Sequence, residues 1–130
     1  MKVFLDTNVW VSAFAAPGLC EELVRELIAS ASDEVLSTPL IWIELHAVLS
    51  RKLKLDEGGI TPIRRLFETA RSVSDVPDDG SGADARLVAA AMAAGVDLFV
   101  TGDKGLIEAH AGRGLRIATP RQAWVIMSVR

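Results

Sequence analysis

This 130-residue sequence predicts an α/β fold: three layers, with helices on both faces of a central, mainly parallel sheet of four or five strands. Three observations carry the prediction. Short apolar runs alternate with longer amphipathic stretches, the order expected of strand–helix–strand units packed into one sheet. Two of those runs, Val3-Phe4-Leu5 and Leu98-Phe99-Val100, stop abruptly, one at Asp6-Thr7-Asn8 and the other at Thr101-Gly102-Asp103. An open parallel sheet delivers polar groups in this way to the carboxyl ends of its strands, where its ligands collect. Finally, hydrophobic residues make up 50% of the chain while aromatics are 5% and Tyr is absent. The core must therefore be built largely from Leu, Val, Ile and Ala, which suits close packing of helices on a sheet.

The elements follow in order. Residues 3–5 form a buried strand. Pro17-Gly18 marks the start of a helix over residues 21–31, in which Leu23, Val24, Leu27 and Ile28 recur at helical spacing. Residues 34–36 are a brief strand, and Thr38-Pro39 then caps a helix running to about Lys54. Gly58-Gly59 is expected to break the chain before a shorter helix over about 62–71. Residues 73–76 fit a strand or a loop. Residues 77–82, where Asp, Gly and Ser crowd together, are the most flexible segment by composition. A helix over about 83–94, a strand at 98–100, a helix over about 104–110, a strand at 116–118 and a helix opening at Pro120 complete the chain. No repeat, low-complexity tract or linker interrupts it, so a single domain over residues 1–130 is expected.

Charge and cysteine content narrow the class. The formal net charge is −3 and the pI about 5.3, so whole-chain electrostatics do not favour nucleic acid unless a local basic patch or a bound metal reverses the field. Cys20 is the only cysteine, which excludes an internal disulfide and is compatible with a reducing cytoplasm. The apolar run after Met1-Lys2 ends at Asp6, too soon for a signal peptide. The stretch 87–96 is too short and too Ala-rich to span a bilayer. A soluble cytoplasmic protein without membrane association is the expectation.

Four acids stand out. Asp6 and Asp103 follow strands; crowded together they would repel unless a cation lay between them, which points to a hard metal ion. Glu44 lies mid-helix among Leu40, Ile41, Ala47 and Val48, where a carboxylate is costly without a partner. Asp84 has Leu87, Val88 and Ala91 at the next turns and occupies a first helical turn, which favours an anion. Each acid also has a structural use. Asp6 can cap a turn with Thr7 and Asn8, and Asp103 can cap the helix from Lys104. Ser81-Gly82-Ala83-Asp84 fits a capping box. Glu44 can pair with Arg51.

Taken in order, Val3-Phe4-Leu5-Asp6-Thr7-Asn8, the mid-helix Glu44, Asp84 and Val100-Thr101-Gly102-Asp103 resemble the PIN domain at similar intervals over nearly the whole chain. More narrowly, Ile43-Glu44-Leu45-His46-Ala47-Val48-Leu49-Ser50-Arg51 and Thr101-Gly102-Asp103-Lys104-Gly105-Leu106-Ile107 resemble the VapC-like ribonucleases, the toxin components of toxin–antitoxin pairs. The resemblance implies that Asp6, Glu44, Asp84 and Asp103 are metal-binding and catalytic, with Thr7, Asn8 and Thr101 holding them in place. It also implies an RNA substrate, a cognate antitoxin and a homodimer. The third acid has rivals in Asp78 and Asp79; Asp84 is preferred for its apolar-face neighbours and its helix-start position. Relatives often carry Arg-Pro-Lys near the end of the Glu-bearing helix, where this chain has Arg51-Lys52-Leu53.

An all-oxygen donor set suits Mg²⁺ or Mn²⁺, and such ions serve phosphodiester hydrolysis by activating a water and stabilising a leaving oxygen. The expected protein is thus a metal-dependent endoribonuclease. Two alternatives belong to other classes. A haloacid-dehalogenase-type phosphatase also opens with an Asp after a strand, but needs a second acid two positions on, where this chain has Asn8. A catalytically silent RNA- or protein-binding module would keep the fold without the chemistry. Arg51, Lys52, Lys54 and Lys104 read as solvated charges, Trp10, Trp42 and Trp124 as packing residues, and Cys20 as a small buried residue.

Overall fold

The computed structural model describes residues 1–130. Five strands form one all-parallel sheet: β1 (Lys2–Leu5), β2 (Glu34–Ser37), β3 (Arg71–Ser72), β4 (Leu98–Val100) and β5 (Ile117–Ala118), in the order β3-β2-β1-β4-β5. Seven helices complete a three-layer α/β/α arrangement: α1 (Thr7–Ala15), α2 (Leu19–Ala29), α3 (Pro39–Arg51), α4 (Glu57–Phe67), α5 (Ala83–Ala93), α6 (Lys104–His110) and α7 (Pro120–Ser128). The order explains where a site must lie. The chain builds outward from β1 through β2 to β3, then returns to the other side of β1 with β4 and β5. That reversal makes the gap between β1 and β4 the topological switch point, the position at the carboxyl ends of the strands where open parallel sheets form their ligand crevice. Leu5 pairs with Val100, so Asp6 and Thr101 stand side by side one residue beyond the sheet.

The two central strands are apolar because both of their faces are covered. Val3, Phe4, Leu5, Leu98, Phe99 and Val100 are all buried, and Phe4 stacks on Phe99 with ring centroids 5.2 Å apart. Burial of each such large side chain is worth about 1.5–3 kcal/mol, so the strands that end at the acids are also the best anchored.

The structure corrects the sequence expectations at four points. Helix α1 occupies residues 7–15, for which the sequence pattern predicts no element. Its residues Val9, Trp10, Val11, Ala13 and Phe14 are apolar on several sides, so no amphipathic period shows, as for any helix packed on more than one face. Gly58-Gly59 does not break the chain but lies in the first turn of α4, which begins at Glu57 and ends at Phe67. Asp56 caps it by accepting from the Gly59 amide at 3.0 Å, and a Cβ at Gly58 would come within 3.3 Å of that cap oxygen. The third strand is Arg71–Ser72, where the sequence predicts the end of a helix, and residues 73–76 are the loop of the two alternatives. Finally, α5 has Gly82 at its N-cap with no side-chain cap, while the Ser81 hydroxyl donates to Asp79, so the capping box is absent.

Candidate active site

Asp6 leaves β1 at the switch point and caps α1: its Oδ1 accepts from the Thr7 amide at 2.8 Å. Its Oδ2 accepts from the Thr101 hydroxyl at 2.7 Å and from Asn8 Nδ2 at 3.1 Å. Asn8 bridges the crevice, since its Nδ2 also approaches Thr101 Oγ1 at 3.4 Å while its Oδ1 accepts from the Gly102 amide at 3.2 Å. Thr101 in turn accepts from the Asp103 amide at 3.1 Å. Residues more than ninety positions apart thus lock the ends of β1 and β4 together.

The brace acts on an unusually placed carboxylate. Asp6 is only 5% exposed, and burial pushes its pKa above the ordinary 3.8. The Thr101 hydroxyl and the Thr7 amide oppose that by bonding the charged form, while the like charges of Asp84 and Glu44 push it further up. Asp6, Glu44 and Asp84 therefore share one electrostatic neighbourhood. Glu44 is half-buried on α3, and the Thr7 hydroxyl donates to its Oε1 at 2.6 Å. Its partner is Thr7 rather than Arg51, which is exposed. Asp84 is exposed in the first turn of α5, whose next turns, Leu87, Val88 and Ala91, are buried.

Asp103 is exposed and serves as the N-cap of α6, its Oδ1 accepting from the Leu106 amide at 3.1 Å. Its connection to Asp6 runs through Thr101. Asp78 and Asp79 are spent on their own turn, accepting from the Gly80 amide at 3.0 Å and the Ser81 amide at 2.9 Å. Of the three candidates for the third acid, Asp84 is the one whose charge acts on Asp6.

Two supporting residues escaped the sequence reading. Asp75 accepts from the Leu40 amide at 3.0 Å and so ties the loop after β3 to the start of the helix that carries Glu44. Arg86 donates through Nη2 to the Val76 carbonyl at 3.1 Å, holding that loop against α5. Arg86 was detectable as the one base in an otherwise Ala-rich helix; Asp75 had no local signal.

The donor set here is all oxygen, with no His or Cys among it, and suits a hard cation rather than a soft one. No three His, Cys, Asp or Glu side chains form a ready cage. Mg²⁺ characteristically keeps several waters and takes one or two carboxylates from the protein, so Asp6 with one neighbouring acid is a donor set of the kind it uses.

The PIN domain family matches residues 2–105. This chain belongs to the PIN domain family, whose members are commonly nucleases that use divalent metals. No curated protein sequence matches the chain significantly. Among solved structures, a protein from Pyrobaculum aerophilum superposes with a TM-score of 0.68 at 14% identity, over 100% of this chain and 91% of that one. A domain of a functionally unknown protein from Methanocaldococcus jannaschii gives 0.61 at 17% identity, over 91% and 89%. Both likenesses concern the fold.

Proposed function

We propose that residues 1–130 act as a single domain that hydrolyses RNA phosphodiester bonds with Mg²⁺ or Mn²⁺. The observation that carries this reading is the buried Asp6 carboxylate, oriented by three donors yet facing two further acids without a cation to offset them. A structural carboxylate would be expected to meet a base; the charges that act on this one are those of Asp84 and Glu44. Asp6 and a neighbouring acid would hold the ion, with Asp103 as a further donor on the β4 side. When bound, the ion supplies positive charge that activates a water and offsets the charge building on the phosphoryl oxygens. Thr101 and the Thr7 amide favour the charged form of Asp6, and with Asn8 they fix its direction. The Thr7 hydroxyl holds Glu44 by Oε1, leaving Oε2 to orient a water or take its proton. Asn8 donates to Asp6 where a phosphatase of the dehalogenase type would need its second acid, which argues against that chemistry.

The finer reading is a cytoplasmic toxin of the VapC kind, working as a homodimer and held by an antitoxin. The motifs around Glu44 and Asp103 support it, and no helix is long and apolar enough to cross a membrane. The deciding experiment is an RNA cleavage assay with Mg²⁺, with Mn²⁺ and with EDTA, on the wild type and Asp6→Asn. Cleavage that needs the ion and vanishes in the variant is expected. Cleavage that persists in EDTA would overturn the metal-dependent reading, and no cleavage under any condition would leave a binding module as the function.

A further inference from the structure

At the carboxyl ends of β2 and β3 lies a cavity of about 220 Å³, lined by none of the four acids. Its floor includes Ser37, the last residue of β2, which is 2% exposed and whose Oγ is buried without a hydrogen-bond partner. A buried hydroxyl left in this state costs about 1–3 kcal/mol, and the only other such atom is the Trp10 indole nitrogen. The walls are aromatic and cationic: Trp42 packs on Phe67 with centroids 5.2 Å apart, and the Arg64 guanidinium lies 5.3 Å from the Trp42 ring centroid. Glu68 also lines the cavity.

We propose that this cavity seats one unpaired nucleobase of the RNA strand, next to the phosphate that is cut. Four features select a base over other occupants. The space is below the roughly 300 Å³ of pockets that take drug-sized ligands, so it fits a small flat group. Indole, phenyl and guanidinium planes are the surfaces on which extruded bases stack. Ser37 both donates and accepts, and Glu68 adds acceptors to the Arg64 donors, which suits the mixed edge of a base. The Glu68 carboxylate disfavours a phosphate in the same space, and Arg64 is already drawn towards Glu57 at 3.6 Å.

The position fits the reaction. Phe4 pairs with Leu36, so Ser37 lies beside Leu5, one residue short of Asp6, across a strand spacing of about 4.8 Å. A base that must enter a cavity cannot remain in a duplex, so the strand has to present it unpaired. This inference rests on the nuclease reading for its substrate, but its test does not.

The test is a titration of the full chain with the four ribonucleosides and, separately, inorganic phosphate, followed by NMR of the Trp42 indole N–H and the Ser37 and Ser72 amides. At least one nucleoside should shift these signals saturably, phosphate should not, and Ser37→Val and Arg64→Ala should each weaken the response about tenfold, the scale of one base stack. In cleavage assays the same variants should raise KM by a similar factor with kcat nearly unchanged. Arg64→Ala, a partly exposed position, serves if Ser37→Val fails to fold. Silence towards all four nucleosides, or a response to phosphate alone, overturns the proposal even if RNA is cut. Nucleoside binding without metal-dependent cleavage would keep the base pocket and remove the nuclease reading instead.

Discussion

The Thr101 hydroxyl donates to Asp6 Oδ2 at 2.7 Å, across 95 positions of sequence. This bond closes the carboxyl ends of β1 and β4 at the point where the sheet reverses its order. It also bonds the charged form of an acid whose pKa burial pushes up. Removing the hydroxyl in Thr101→Val should cost about 1–3 kcal/mol at neutral pH, because Asp6 loses a donor and stays buried. The Asp6 pKa in the metal-free protein should rise further, a shift readable by NMR of its carboxyl carbon. An unchanged titration would mean that Thr101 only packs.

Asp103 tests whether capping exhausts a residue's role. Asn is as good an N-cap as Asp, so Asp103→Asn should leave Tm almost unchanged, while Asp103→Ala should cost about 1 kcal/mol. If Asp103 also serves the ion, both variants lose RNA cleavage by at least about a hundredfold. Full cleavage in Asp103→Asn would mark a cap and nothing more.

Glu44→Gln keeps an oxygen that can accept from the Thr7 hydroxyl but removes a like charge from beside Asp6. The expected outcome is an apo protein as stable as the wild type or more so, an Asp6 pKa moved back towards its ordinary value, and lost cleavage. Thermal melts with a cleavage assay check this; a destabilised variant with normal cleavage would make Glu44 structural.

A cation that binds only the folded site should raise Tm. At a hundred times its Kd the gain is about 2.7 kcal/mol, several degrees for a chain of this length. Mn²⁺ titrated into EDTA-stripped protein should show this shift, and Asp6→Asn should not.

The acid side of the stability profile combines two carboxylates of opposite sign. Arg130 pairs both oxygens of Asp33 and holds its carboxyl well below the ordinary 3.8. A lowered native pKa contributes stability that is present above 3.8 and is lost as pH falls below it. Asp6 has a raised pKa, so its ionisation cost is absent below 3.8 and grows as pH rises from there through its native value. Arg130→Ala should therefore move the acid-unfolding midpoint upward, less so in high salt. Asp33 exchanged for Asn should do the same, and a midpoint unchanged in both would show that the pair is inert.

The sequence by itself determined the layered parallel fold and the four acids worth naming, because both signals are local. An apolar run that stops at an acid, or a carboxylate on an apolar helix face, is visible within a dozen residues. The limits of locality appear in α1 and α4. Helix α1 is packed on more than one side and shows no period, and α4 starts at its Asp56 cap although two glycines follow. Only the tertiary structure decided how the acids are related. It set Thr101 and Asn8 on Asp6, gave Glu44 to Thr7 instead of Arg51, brought the charges of Asp84 and Glu44 to bear on Asp6, and turned Asp78 and Asp79 into turn residues. It also opened a cavity over Ser37 and Trp42, which are far from Arg64 in sequence. The physical reason is that hydrogen bonding, desolvation and like-charge repulsion depend on distance in space, and the strand order that brings residues 6 and 101 together is a property of the whole sheet.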